Sequence, residues 1–436
     1  MIITGLSHGF HDAAATRIDD AGTIHHAIHS ERYTKKKNDK NLYPSYKTRG
    51  VTVFYERPFI KNLRRLYAGQ SWKTRPKYDA YINHHWSHAA AAYYTRPWAE
   101  EPVCVVVDAI GEWDTCSIWW KKKKVWSKRY PKSLGLFYSA ATKAAGLKPM
   151  EDEYILMGMA AYGQPNYDLD PWEYLHKGYK RKFDRPEDLA ATAQMHLEHE
   201  LLVIMRKARK YSPYLCYGGG VALNCVANSR IEPLFDKMWI FPNPGDAGSS
   251  LGAAAAYIDK KLNFNNPYLG YQINRKPNVN EIVEYLLEHS FCGIANGRAE
   301  FGPRALGNRS LIADPRLDLK DTINGIKRRQ KFRPFAPAIL EEFSQEYFQG
   351  PMNEYMQFVA EAKHDYSSVT HVDGTARVQV VKPDCRSIIR PLLEEWYEKT
   401  GCPMLLNTSL NIKGQPMVND ERDVEAFEKA YRVKVF

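Results

Sequence analysis

Two histidines four residues apart, His84 and His88 in the segment INHHWSHAAAAYYT, are the first residues whose types and spacing could do chemistry. A helix over this segment puts both imidazoles on one face, where they could bind the same metal ion. His85 points elsewhere on such a helix and is predicted not to be a ligand. By itself, a histidine pair in an alanine-rich helix is more often structural than metal-binding, so the spacing leaves both interpretations open.

Glycine-rich turns form a second kind of candidate site. The segment YLCYGGGVALNCVANSRI contains a short apolar strand, three glycines and a helix-like run. A glycine turn at a helix N-terminus lets backbone N–H groups approach a phosphate or a ribose. The segment FPNPGDAGSSLGAAAAYI repeats this pattern, with Asp246 just ahead of a helix of small residues. One such turn alone is weak evidence.

Arginines beside glycine, serine and threonine are concentrated in the C-terminal third of the chain. This is the pattern that a site for a small, doubly charged anion needs, because a guanidinium group binds phosphate oxygens bidentately. The motifs are GRAEFGPRALGNRSL, KRRQKFRPFAPAIL, HVDGTARVQVV and LNTSLNIKGQPMV.

The elements that must position these residues follow a repeated order. Strand, polar turn, strand, tight turn and strand occur over residues 2–29 and again over 103–129, which predicts a duplicated α/β unit. The Asn- and Pro-rich stretch NFNNPYLGYQINRKPNVN is typical of a linker. We therefore predict two domains, residues 1–275 and 276–436.

Composition indicates an ordinary globular protein with 44% hydrophobic and 25% charged residues. Seven scattered cysteines without a C-x-x-C pair, no signal peptide and no apolar run long enough to span a bilayer predict a cytoplasmic protein without a membrane partner. The net charge is +11, and basic side chains cluster with tryptophan and tyrosine in residues 47–77, 121–132 and 177–185. Such clusters favour a polyanionic partner, although a merely solvated surface gives the same composition.

The arginine motifs, together with FHDAAA, HHWSHAAAA, GGGVALN and NPGDAGSS, resemble those of the ATP-dependent O-carbamoyltransferases that modify nodulation factors, cephalosporins and aminoglycosides. The resemblance covers nearly the whole chain. It implies an α/β fold with a duplicated actin/sugar-kinase-like N-terminal domain, similar to the tRNA threonylcarbamoyltransferase domain, and a smaller YrdC-like C-terminal domain. It also implies that carbamoyl phosphate and ATP are condensed to carbamoyladenylate, whose carbamoyl group then passes to a hydroxyl.

The resemblance assigns roles to residues that match the family motifs. The metal ligands would be His84, His88, Asp108 and Asp246, and mixed imidazole and carboxylate ligands suit Fe²⁺, Mn²⁺ or Zn²⁺, of which the family implies iron. The spacing supports this set, because an aspartate at the C-terminal end of a strand points into the adjacent cleft. The residues expected to contact nucleotide are Gly218, Gly219, Gly220 and Asn224. Those expected to bind carbamoyl phosphate and form the adenylate are Arg304, Lys327, Arg377 and Ser409, with Arg309, Lys331 and Arg333 as secondary candidates.

His11 is the candidate general base for the acceptor hydroxyl, because a neutral imidazole titrates near the working pH. Asp12 would orient it or would simply be a turn residue. Ile155 departs from the family pattern, which usually has a lysine before its MGLA motif, and the chain is shorter than usual family members. We expect a trimmed, open, basic cleft of this kind to suit a large acceptor.

The sequence therefore predicts an O-carbamoyltransferase that uses carbamoyl phosphate, Mg²⁺-ATP and a divalent metal, with 5-hydroxymethylcytosine in DNA or a nucleotide as the leading acceptor. A hydroxyl on a sugar or an antibiotic is the alternative acceptor. A sugar-kinase-type phosphotransferase and a non-enzymatic nucleic-acid-binding protein are less favoured, because neither explains the arginine motifs.

Overall fold

The computed structural model describes residues 1–173, 178–179 and 182–436. The chain forms two compact units, and the break after residue 264 falls within the Asn- and Pro-rich stretch predicted to be a linker. The first unit comprises residues 1–27 and 40–264, and the second comprises 28–39 and 265–436. None of the helices in the described part of the chain combines the length and the apolar character needed to cross a bilayer.

The first unit contains two five-stranded sheets with the same strand order. The first sheet has the order β3-β2-β1-β4-β5 and the second β8-β7-β6-β9-β10. In each sheet the first strand pairs antiparallel with the next strand of the chain and parallel with the fourth. The strands are β1 (Ile2–Ser7), β2 (Ala14–Asp19), β3 (Ile24–His29), β4 (Val51–Phe54), β5 (Ala80–Tyr81), β6 (Val103–Gly111), β7 (Asp114–Trp120), β8 (Lys123–Arg129), β9 (Tyr214–Gly218) and β10 (Lys237–Ile240). This repeat confirms the predicted duplicated, actin/sugar-kinase-like architecture.

Two small-residue helices pack closely beside these sheets. The helices of this unit are α2 (Pro58–Tyr67), α3 (His84–Thr95), α4 (Leu134–Ala144), α5 (Glu153–Met159), α6 (Pro186–Arg209), α7 (Cys225–Ile231) and α8 (Ser249–Ile258). Helix α3 begins at an Asn83 cap, whose side chain accepts a hydrogen bond from Trp86 N. A Cβ at Gly252 of α8 would lie 1.8 Å from the Ser87 carbonyl oxygen of α3, so this close approach requires glycine. The alanines of the histidine segment thus form the buried back of α3.

The second unit is an α/β domain built on a mixed five-stranded sheet of order β12-β14-β20-β15-β19. Trp396, Leu392 and Leu393 of α12 are fully buried in its core, with Ile282 and Leu286 of α9. The strands are β11 (Tyr268–Ile273), β12 (Phe291–Ala295), β13 (Gly297–Glu300), β14 (Arg309–Ala313), β15 (Ala336–Leu340), β16 (Phe348–Gln349), β17 (Ala360–Ala362), β18 (Thr375–Ala376), β19 (Gln379–Val381) and β20 (Met404–Ser409). The helices are α1 (Ser30–Thr34), α9 (Val279–His289), α10 (Lys320–Ile326), α11 (Glu341–Tyr347), α12 (Ile389–Thr400) and α13 (Glu421–Tyr431).

Candidate metal centre and carbamoyl-transfer site

The four predicted metal ligands form one buried group in the first unit. One donor atom from each of His84, His88, Asp108 and Asp246 lies within 4.8 Å of the others. The His84 and His88 Nε2 atoms are 3.1 Å apart. His84 Nε2 lies 3.1 Å from Asp108 Oδ2, and His88 Nε2 lies 3.2 Å from Asp246 Oδ1. Donors about 2.1 Å from a shared tetrahedral ion are separated by about 3.4 Å, so this spacing fits a single metal ion.

The arrangement of hydrogen bonds around the cluster also fits a metal site. Pro244 O lies 2.9 Å from His88 Nδ1, so this nitrogen donates its proton and leaves Nε2 free to bind an ion. Burial lowers the pKa of His84, but the Asp108, Asp246 and Glu56 carboxylates outweigh it and raise the pKa to about 10. In place of the proton on His84, a divalent cation would neutralise the two buried carboxylates.

His85 has a different environment from its two neighbours. Its Nδ1 lies 2.7 Å from Ser117 Oγ on β7. Burial, together with the charges of His84 and His88, lowers its pKa well below the usual value. The imidazole is therefore neutral and serves the packing of α3, and its exclusion from the ligand set stays a prediction.

His11 and Asp12 lie in the turn between β1 and β2, half-buried and close to the cluster. His11 Nδ1 is 3.1 Å from Asp12 Oδ2. Burial lowers the pKa of His11, but Asp12 and the charges of Asp246 and Asp108 raise it to about 9. The negative charges of both carboxylates in the metal group therefore stabilise the protonated imidazole of His11. Asp12 has a φ of +56°, a left-handed conformation that aspartate tolerates in turns.

The glycine turn follows β9 and contacts the same aspartate. Gly220 N donates a 3.1 Å hydrogen bond to Asp108 Oδ1, and Gly219 N donates to Pro244 O. Gly219 has a φ of +93°, and a Cβ there would lie 2.2 Å from Val107 O, so the turn requires glycine. The turn, including Gly218, is thus fixed beside the metal group, and its contact with nucleotide remains a prediction.

Asn224 has a structural role that the sequence pattern did not indicate. Its Oδ1 accepts a hydrogen bond from Ala227 N and caps α7. Its Nδ2 donates to Gln194 Oε1 at 2.9 Å. Both ends of this amide are engaged within the fold, and its predicted nucleotide contact remains a prediction.

In the second unit, Lys327 and Ser409 lie together. The buried Lys327 ammonium donates to the carbonyl oxygens of Ser409 and Asn411, the latter at 2.9 Å. Burial, followed by the charges of Arg329 and Arg333, lowers the pKa of Lys327 well below its usual value. The Lys327 nitrogen is held only by neutral oxygens, so a bound anion would favour its protonated form.

Arg304 and Arg377 lie on segments that meet the same part of the sheet. The carbonyl oxygen of Ala305 accepts a hydrogen bond from Asn407, two residues before Ser409. The carbonyl oxygen of Leu306 accepts a hydrogen bond from the side chain of Gln379, which lies two residues after Arg377. Arg377 Nε is buried without a hydrogen-bond partner among the described residues.

Of the secondary candidates, Arg309 is fully buried, and its guanidinium donates to the backbone carbonyls of Tyr271, Asn296, Gly297, Asn308 and Asn419. It holds loops together and has no free donor for an anion. Lys331 is exposed and pairs with Asp321 at 3.2 Å, and Arg333 is half-buried.

Comparison with known families settles what kind of protein carries this site. The model described as Carbamoyltransferase N-terminus matches residues 51–182 and 170–255, and that described as Carbamoyltransferase C-terminus matches 283–435. The chain belongs to the carbamoyltransferase family. All four clustered donors lie within the residues that the N-terminal model matches.

Similar carbamoyltransferase-family chains include two nodulation proteins. NolO of Bradyrhizobium diazoefficiens is 31% identical, over 78% of this chain and 75% of that protein. NolNO of Sinorhizobium fredii is also 31% identical, over 80% of this chain and 61% of that protein. An uncharacterized protein of Synechocystis is 30% identical over 97% of this chain and 93% of its own length.

Two glutamates that sequence reasoning missed contact the helix of this carbamoyltransferase that carries His84 and His88. Glu56 comes soon after β4, is 4% exposed, and its Oε2 lies 3.8 Å from His84 Nδ1. Glu112 accepts hydrogen bonds from the side chains of Asn83 and Arg57 and from His84 N. Glu56 could have been suspected, because it comes soon after β4, a strand that pairs parallel with β1, and functional side chains often follow the carboxyl ends of parallel strands.

Other sequence predictions have structural outcomes here. Ile155 is 1% exposed in α5, so the position that is usually lysine in the family belongs to the core of this chain. In the basic segment 121–132, Lys122 pairs with Asp259 and Lys124 with Asp114. Residues 177, 180 and 181 of the third basic segment lie outside the described residues.

Proposed function

We propose that this protein is an ATP-dependent O-carbamoyltransferase whose first unit carries out the transfer to an acceptor hydroxyl. The observation that carries the proposal is the buried group of His84, His88, Asp108 and Asp246. Its Asp108 accepts a hydrogen bond from Gly220 N of the glycine turn, and its carboxylates raise the pKa of His11. Membership of the carbamoyltransferase family supplies the reaction class.

The second unit would perform the first half-reaction. Water cleaves the P–O bond of carbamoyl phosphate and releases inorganic phosphate and carbamate. A carbamate oxygen then bonds to the α-phosphorus of ATP as pyrophosphate leaves. Lys327, held in a buried position beside Ser409, would stabilise the negative charge that develops there. Arg377, with its unpartnered Nε, and Arg304 would hold the phosphate oxygens.

In the second half-reaction the acceptor hydroxyl attacks the carbamoyl carbon and AMP leaves. Asp12 lies at His11 Nδ1, which leaves Nε2 to take the hydroxyl proton. His84, His88, Asp108 and Asp246 would hold a divalent ion, for which iron, manganese and zinc are all chemically suitable. When bound, the ion supplies positive charge beside the phosphate or carbamoyl oxygen.

The same ion would also lower the pKa of His11. The charges of Asp246 and Asp108 contribute to a pKa of about 9, which keeps the imidazole protonated near neutral pH. Neutralising both carboxylates removes part of this effect and brings the pKa toward the range where a base works efficiently.

For the acceptor we propose a hydroxyl of the sugar type, the alternative in the sequence analysis, over 5-hydroxymethylcytosine in DNA. The named relatives are nodulation proteins, and the resemblance connects that branch with sugar hydroxyls. Two lysines of the segment expected to bind DNA are already paired with aspartates, which weakens the case for that surface.

A separation of the two half-reactions tests the proposal. His11→Gln should retain carbamoyl-phosphate-dependent exchange of pyrophosphate into ATP, yet lose carbamoyl transfer by roughly 10²–10⁴-fold. The exposed His25, which contacts Asp19, provides the matched control His25→Gln, expected to keep both activities. Loss of both half-reactions in His11→Gln, or of neither, would contradict the proposed division of labour.

A further inference from the structure

A pocket in the first unit opens beside the metal group and has not yet been given a role. Its volume is about 470 Å³, within the range of small-molecule sites. Glu56 and Ile110 are among its lining residues. Glu56 lies 3.8 Å from His84, and Ile110 follows Asp108 by two residues on β6, so one end of the pocket adjoins the metal ligands.

The lining is strongly basic. Five lysine and arginine side chains contribute to it, against the single carboxylate of Glu56. Lys61 Nζ lies 2.7 Å from Glu56 Oε1, so that pair neutralises itself. Arg64 is buried and donates to the Glu112 carbonyl oxygen. The Lys61 and Arg64 side chains, at the end near the metal group, are therefore already bonded within the protein.

The remaining three cations lie nearer to solvent and have no carboxylate of their own. Within the described residues, no Asp or Glu oxygen is within 4.0 Å of the charged nitrogens of Arg65, Lys73 or Arg75. Lys73 and Arg75 are exposed, and Arg65 is half-buried. Burial, followed by the positive charges of Arg65, Lys61 and Lys40, lowers the pKa of Lys73, and the Glu56 carboxylate only partly opposes this effect.

The pocket also carries apolar rings between its two ends. Phe10 and Phe54 line it, with Tyr130 beneath the Arg64 guanidinium. Among the described residues, those that line the pocket include none from the Gly218–Gly220 turn. The pocket is thus distinct from the turn predicted to contact nucleotide, and it adjoins the turn of His11 through Phe10.

We propose that this pocket binds the acceptor, and that the acceptor carries a phosphate group held by Arg65, Lys73 and Arg75 while its hydroxyl lies at the Glu56 end. The inference rests on the proposed transfer function for the neighbouring metal group. Guanidinium and ammonium groups without carboxylate partners recognise phosphate oxygens through charge-assisted bonds, which a neutral sugar cannot use. A phosphorylated sugar and a nucleotide share this chemistry.

Direct binding measurements test the proposal independently of turnover. We would measure by calorimetry the affinity for matched pairs: glucosamine 6-phosphate with glucosamine, and thymidine monophosphate with thymidine. At least one phosphorylated member should bind about tenfold or more tightly than its neutral partner, as expected for one charge-assisted bond. Raising the salt concentration should reduce that preference.

The variant Lys73→Glu should abolish the preference, whereas Lys77→Glu should keep it. Lys77 is also exposed on the same segment and does not line the pocket, which makes it the matched control. Both variants should retain carbamoyl-phosphate-dependent pyrophosphate exchange. This readout separates failure of the acceptor pocket from failure of the proposed function, which would abolish exchange in the unsubstituted protein as well.

Three results would overturn the proposal. The first is equal binding of phosphorylated and neutral members in both pairs. The second is a phosphate preference that survives in Lys73→Glu. The third is loss of pyrophosphate exchange in Lys73→Glu alone, which would assign the pocket to the first half-reaction. If phosphate preference is found, the pair that shows it identifies whether the acceptor is a sugar phosphate or a nucleotide.

Discussion

Removing one carboxylate from the buried cluster should abolish most of the stabilisation that a divalent ion gives the first unit. Asp246 is the residue to change, because it is 8% exposed and its Oδ1 lies 3.2 Å from His88 Nε2 and 3.5 Å from His84 Nε2. The substitution Asp246→Asn keeps the shape of the side chain and removes its charge. Its effect on metal binding can therefore be separated from an effect on packing.

The magnitude follows from ligand linkage. An ion present at 100 times its dissociation constant stabilises the folded state by about 2.7 kcal/mol. For a domain of roughly 150–250 residues this corresponds to a rise in Tm of about 5–10 °C. If loss of the charged ligand weakens affinity about a hundredfold, the same ion concentration stabilises Asp246→Asn by only about 0.4 kcal/mol, or roughly 1–2 °C.

The assay is thermal unfolding of metal-stripped protein, repeated with Fe²⁺ under anaerobic conditions and with Mn²⁺ and Zn²⁺. Asp236, which is exposed and pairs with Arg209 at 3.0 Å, supplies the control Asp236→Asn, expected to show the full increase in Tm. An increase in Asp246→Asn equal to that of the unsubstituted protein would refute the assignment of Asp246 as a ligand. No increase in the unsubstituted protein with any of the three ions would refute the metal site itself.

Three further predictions concern proton linkage, the glycine turn and the second unit. Because the metal-free pKa of His84 is raised to about 10, metal binding at pH 8 should release a proton, and metal affinity should increase as the pH rises toward 10. Calorimetry in buffers of different ionisation enthalpy measures this proton release. Equal heats of metal binding in all buffers would contradict the prediction. Gly219→Ala should lower the free energy of unfolding by about 2 kcal/mol or more, because φ is +93° and the new Cβ would meet Val107 O; unchanged denaturant midpoints would contradict this. Lys327→Met should reduce pyrophosphate exchange by roughly 10²-fold, whereas Lys331→Met, at an exposed site, should not; equal effects would remove Lys327 from the first half-reaction.

The spacing of the two histidines predicted a shared helix face but left a structural role open, and the complete set with Asp108 and Asp246 came from the family resemblance. The four-residue spacing of His84 and His88 and the strand-end position of Asp108 are properties of one helix and one strand. The strand–turn–strand repeat likewise predicted the two sheets, because each antiparallel meander lies within about thirty residues. These features depend on the chain nearby, so the sequence carries them directly.

Features fixed by long-range packing were harder to predict. Glu56 comes near His84 only because β4 pairs with β1, a contact that no short motif reports. The arginine motifs could not distinguish Arg309, whose donors are used by backbone carbonyls, from a guanidinium that is free to bind an anion. Likewise, no sequence pattern indicated that the Asn224 amide caps α7, and its nucleotide contact stays a prediction.

The most direct test of the central claim is mass spectrometry of candidate acceptors incubated with protein, ATP, carbamoyl phosphate and the divalent ion. The account predicts that a hydroxyl acceptor gains the mass of one carbamoyl group, that AMP and pyrophosphate accumulate, and that His88→Ala, which removes a cluster ligand, abolishes the gain. Production of ADP with a phosphorylated acceptor, or full carbamoylation by His88→Ala, would contradict it.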